Sequence, residues 1–181
     1  MGLLRRSPAS PPETTSAVVP DARLKALGGG KVLARVALRG GGTAAATVPA
    51  LVMVATADPT ATDEDQAVTV PWELTDGAEW LADSATLLVR ALDGAEHRLP
   101  LPDGERTFPQ VVRERVEASI VHVQTRDLGR GVTVRAAVRR SASGDLSSQV
   151  TVLGAATRTA AIDRAGEELE REVRSAVGLR A

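Results

Sequence analysis

Residues 109–140 read PQVVRERVEASIVHVQTRDLGRGVTVRAAVRR, and the hydrophobic period changes inside this stretch. Val112, Val116 and Ile120 recur every four residues, with Val111 and Ser119 beside them, so 109–120 predicts an amphipathic helix. Thr107 is the expected N-cap, and Pro109 suits the first turn. From residue 121 the period drops to two. Val121, Val123 and Thr125 alternate with His122, Gln124 and Arg126, and 132–139 alternates Val132, Val134, Ala136 and Val138 with Thr133, Arg135, Ala137 and Arg139. Gly129–Gly131 turns the chain between them. A third strand follows at 147–153 after the Ser143-Gly144-Asp145 turn. Residues 160–177 return to a helical period, with Ile162, Ala165, Leu169, Val173 and Val177 on one stripe. Helix, three-stranded meander, helix is the predicted order, with the Val121–Val123–Thr125 side of the first strand on the core.

Upstream the pattern is mostly β. Residues 31–39 (KVLARVALR) place Val32, Ala34, Val36 and Leu38 on one face, and Gly40–Gly42 ends the strand. ATVPALVMVA (46–55) reads as one strand with Pro49 near its start or at a sheet edge. DPTATDED (58–65) is an acidic loop, and AVTVPW (67–72) a short strand stopped by Pro71. A Trp-bearing segment follows, and then strands at 85–91 and 96–101 around Asp93-Gly94, a strong hairpin signal. The fold class predicted is α+β. Residues 1–24, with the Pro- and Ser-rich stretch 7–20, read as a tail or linker, 25–118 as the strand-rich unit and 119–181 as the meander with its helix.

Composition narrows the function classes. The chain has no Cys and two His, 25 positions apart, so thiolate zinc sites, disulfides and cysteine nucleophiles are excluded. No run approaches the ~18 apolar residues of a spanning helix, and Leu3-Leu4-Arg5-Arg6 lacks the apolar segment of a secretory signal. Cytoplasmic localisation is the expectation. Twenty Arg against two Lys, with no Tyr or Asn, fit a high-GC bacterial coding sequence, which weakens Arg richness as a sign of phosphate binding. Charge is divided unevenly: 21–106 carry eight basic and thirteen acidic groups, whereas 107–181 carry twelve basic and nine acidic. The front is therefore acidic and the back mildly basic.

Three stretches carry a likeness to a known family: TVPALVMVA (47–55), VTVPWELTDGAEW (68–80) and LLVRALDGAEHRLPL (87–101). With the helix after them, residues 31–118 resemble the bacterial pleckstrin-homology-like (PH-like) domain. The resemblance implies a curled antiparallel β-barrel closed by a helix, with a further strand after Trp72. It also implies binding of peptides, partner proteins or lipids, without catalytic residues. The acidic 56–66 loop is longer than that family's usual one.

Few residues assemble chemistry. Gly28-Gly29-Gly30-Lys31 lacks the spacing and hydroxyl residue of a phosphate loop and reads as linker. Asp63-Glu64-Asp65 matches no calcium loop. Glu73, Asp76, Glu79 and Asp83 surround two Trp but have no nucleophile near them, and Ser119, three residues before His122, has no nucleophile elbow. No catalytic residue, cofactor or metal ligand is expected. Trp72, Trp80 and Phe108, the only aromatics, are expected to anchor the core. The remaining candidate is an Arg-rich face of the meander, built from Arg126, Arg130, Arg135, Arg139 and Arg140 and free to meet an anionic partner. The sequence thus points to a non-catalytic cytoplasmic interaction module with an unidentified protein partner. The alternative is a peripheral binder of nucleic acid or membrane headgroups through that Arg face.

Overall fold

The computed structural model describes residues 19–55, 67–154 and 157–179. It is an α+β structure of three antiparallel sheets. Helix α1 (Asp21–Gly28) precedes strands β1 (Val32–Ala37), β2 (Thr43–Thr47), β3 (Ala50–Val54) and β4 (Ala67–Pro71), which pair in that order. Strands β5 (Thr75–Leu81), β6 (Thr86–Ala91) and β7 (Glu96–Pro100) form the second sheet. Helix α2 (Thr107–Ser119) follows, then the meander β8 (Ile120–Gly129), β9 (Val132–Arg140) and β10 (Leu146–Leu153), and finally α3 (Ala160–Ala176). Among the described residues no closed barrel forms: the first seven strands stay in separate sheets of four and three, linked at one corner where Arg39 N donates to Pro100 O at 2.8 Å. No helix among the described residues is long and apolar enough to cross a membrane.

The first two sheets enclose one core. Val36, Ala44, Leu51 and Val70 meet Leu87, Val89 and Leu99, and α2 inserts Phe108, Val112 and Val116 between them. Thr107 opens α2 without capping it. The Glu105 carboxylate takes that role, accepting from Phe108 N at 2.9 Å, which suits the positive end of the helix. Ile120 leaves the helical stripe because the chain is already extended there.

Four expectations change in this unit. Residues 46–55 are not one strand: Val48-Pro49 forms a tight turn between β2 and β3, closed by Thr47 Oγ1, which donates to Ala50 O and accepts from Ala50 N. β2 (TAAAT) is buried on both faces, Ala44 and Ala46 toward the main core and Ala45 toward α1. Small side chains suit a strand covered this closely on both sides. Nor does the tail reach residue 24, since Val19 and Leu24 pack with Ala45, Val52 and Val54. The Gly28–Gly30 stretch ends α1 rather than linking units. A Cβ on Gly28 would lie 2.6–2.8 Å from Thr47 and Val52, so only glycine lets the helix end sit this close, and Gly29 takes the left-handed cap at φ 68°. Gly40–Gly42, read as the end of the first strand, is the β1–β2 turn. The acidic residues 58–65 lie outside the described residues.

The meander follows the predicted order. Val134, Ala136, Val138, Val150 and Val152 pack against Ile162, Leu169 and Val173 of α3, whose N-cap Thr159 accepts from Ile162 N. β8 runs with the opposite face inward. His122, Gln124 and Arg126 sit across from Val138, Ala136 and Val134 and therefore share the helix side, while Val121, Val123 and Thr125 point away. Width explains this. A helix about 10 Å across covers roughly two strands spaced ~4.8 Å apart. α3 lies over β9 and β10, and the inner side of β8 falls at its flank, where polar side chains meet water and the helix's own carboxylates.

Candidate functional site

The five arginines expected on one face are dispersed. Arg126, on the α3 side, pairs with Glu168 at 3.3 Å and Glu172 at 2.7 Å. Arg135 and Arg139 occupy the opposite side of the sheet, which faces β5. Arg135 forms an ion pair with the Asp76 carboxylate, and Thr151 Oγ1 reaches the same oxygen at 3.4 Å. Arg139, 1% exposed, donates to Asp76 O at 3.2 Å and to Ser119 Oγ at 2.8 Å. Arg130 sits at the β8–β9 hairpin tip with φ 54°, and Arg140 is exposed at the far end of β9. No single basic surface results.

Arg135 and Arg139 thus bind the front unit. Asp76 can receive both because it sits at a β-bulge in β5, where the register with β6 slips between Thr75 and Gly77 and turns the residue out of the ladder. Burial, with the charge of Arg135, lowers the pKa of Arg139, and Asp76 partly offsets it. The seam runs on through Ser119, whose Oγ lies 2.7 Å from Val116 O and 3.3 Å from Trp72 O. Neither Asp76 nor the direction of Arg139 was evident from sequence. Two arginines at i and i+4 of one strand, on the face away from its helix, were the available sign that a carboxylate must lie opposite.

The three aromatics also part company. Trp72 is 2% exposed and donates Nε1 to Thr47 O at 2.9 Å, and Phe108 is buried beside it in the core. Trp80, expected as a third anchor, is instead 41% exposed. Its position is that of a core residue: it pairs with Leu87 and shares the inward side of β5 with Ala78, which faces Val89. The core does not extend far enough to cover it.

Beside the indole a cleft of about 510 Å³ opens between β5 and α2, lined by Gly77, Ala78, Leu87, Pro109 and Val116. On its other side a second cleft of about 620 Å³ runs past Ala85, Gly104 and Pro109. Trp80 and Pro109 belong to both, so the two form one groove divided by the indole. The rim is polar: Arg113 pairs with Glu117 at 2.7 Å beside the first cleft, and Asp103, Glu105 and Arg106 edge the second, while Glu79 pairs with Arg90 at 2.6 Å on the other face of β5. The hydrogen bond that each arginine donates to its carboxylate raises that arginine's pKa. Among the described residues β5 is an outer strand, paired only with β6.

Among the described residues no group of three His, Asp or Glu gathers where it could hold a metal ion. His97 lies on β7 opposite Val89, and His122 on β8 in another sheet. The chain matches no protein-family model, and no curated protein or solved structure matches it either.

Proposed function

We propose that the protein is a non-catalytic interaction module whose front unit is a PH-like domain, and that it takes an extended peptide segment of a partner protein in the groove around Trp80. The observation that carries this reading is a large aromatic side chain on the inward side of a strand, 41% exposed, with a mainly apolar cleft on one side and a cleft edged by Asp103, Glu105 and Arg106 on the other. Aromatic residues held this way are the usual anchors of protein recognition. The outer edge of β5 offers backbone groups to which an extended segment adds as a strand, while the indole receives an apolar side chain. The order of the front unit, seven strands in two antiparallel sheets and then a helix inserted between them, supports the PH-like reading. The anionic-surface alternative loses its main support, because Arg126, Arg135 and Arg139 already hold carboxylates or backbone of this chain.

A random peptide library selected against the protein tests the proposal. Binders are expected to share one bulky apolar residue, to shift the amide resonances of 77–81 and 109–117, and to hold their affinity from low to moderate salt. Trp80→Ser is expected to weaken them about 30-fold or more at an unchanged melting temperature. Binders indifferent to that substitution, or lost steeply with salt, overturn the reading.

A further inference from the structure

We propose that β8 is a self-pairing edge, joining β8 of a second copy in antiparallel register to turn each three-stranded meander into half of a six-stranded sheet. Among the described residues β8 is the outer strand of its sheet, with β9 on one side only. It is ten residues long and contains neither Lys nor Pro, two residues that commonly blunt a free edge. Its ladder is irregular only at the ends, between Ile120 and His122 and between Asp127 and Gly129, so 122–127 is a straight, unbulged run. Val121 and Val123 stand exposed on one side of that edge, Val123 at 45%. The other edge of the same sheet, β10, presents Ser147, Gln149 and Thr151 on the corresponding side.

The occupant follows from the strand's own complementarity. A two-fold axis through Val123, perpendicular to the sheet, sets Val123 against its counterpart of the second copy on the exposed side. On the α3 side it sets Gln124 against His122. Arg126 then lies across from the bulged start of the strand at Ile120–Val121, so no like charges meet, and its guanidinium is already turned toward Glu168 and Glu172. An axis through Thr125 instead sets Val123 against Asp127, burying an apolar side chain against a carboxylate. The first register is closed and isologous, giving a dimer rather than a filament. The open cleft beside Gln124, lined by Glu168, Arg171 and Glu172, leaves room for the incoming His122.

Because the chain has no cysteine, single substitutions read the register directly. Sedimentation of the wild-type protein at about 0.1 mM is expected to show a dimer, and Val123→Lys to weaken it at least about tenfold without lowering the melting temperature. Val123→Cys is expected to cross-link to itself on mild oxidation, since directly opposed strand residues lie within the ~4.4–6.8 Å Cα separation a disulfide needs. Thr125→Cys lies four residues out of register with its own counterpart, ~13 Å away, and stays uncross-linked. A protein that remains monomeric at that concentration overturns the proposal. So does a dimer that survives Val123→Lys, or one that cross-links through Thr125→Cys rather than Val123→Cys.

Discussion

The front unit and the meander solve the same burial problem differently. In the front unit two sheets face one another with α2 between them, and its inner positions are almost wholly apolar, Trp72 and Phe108 included. The meander has one helix for one side of three strands, and its other side leans on the front unit through Arg135, Arg139 and Asp76. The front unit is therefore held by area removed from water, worth roughly 25 cal/mol per Å² whatever the direction of approach. The seam is held by charged hydrogen bonds, which are directional and cost most when a charge is left without its partner. The comparison teaches that a half-covered sheet can place its most buried cation on the side that looks like its solvent face.

Four substitutions test this contrast, the first expected to do most damage. Val112→Asp puts a carboxylate into the middle of the front core, where Val112 has no exposed surface, and is expected to cost about 3–5 kcal/mol. Calorimetric melting should show no cooperative transition or one lowered by many degrees. A shift of only a degree or two would mean α2 is not the element that fills the space between the sheets.

At the seam the expected effect is smaller and depends on which partner is removed. Asp76→Ala leaves Arg135 and Arg139 facing each other without a counter-charge. It should cost about 2–3 kcal/mol, discounted because Asp76 and Arg135 retain some contact with solvent. Arg139→Met removes the buried charge itself and should change stability by less than about 1 kcal/mol. Urea titrations of both variants measure the difference, and equal losses would contradict a seam organised around Asp76. Smallest is Arg126→Ala, which breaks partly exposed pairs with Glu168 and Glu172 and should cost about 0–1 kcal/mol, shrinking with added salt.

What could be read from sequence divides along physical lines. The turns at Asp93-Gly94, Gly129–Gly131 and Ser143–Asp145, the β9 stripe and the α3 stripe all appear where their residues place them, because period and turn chemistry are local properties. β2 shows no alternation because it is buried on both faces, and β5 follows only from the family resemblance, because Asp76, Gly77 and Glu79 carry no strand signature. The side of β8 was misjudged because alternation gives a strand two faces without saying how wide its covering helix is. For the candidate site, the arginines and tryptophans were visible as residue types, but their partners were not. Asp76 lies 59 positions from Arg135, and the exposure of Trp80 is decided by where α2 ends its cover.

α2 ends at Ser119 and β8 begins at Ile120, with no residue between them. The joint is pinned from the side as well, where Ser119 meets Arg139 and the backbone of Trp72. Mechanically this is a shaft keyed to a plate, with no slack at the coupling. A tilt of α2 would therefore turn the whole meander with it rather than be absorbed in a connecting loop.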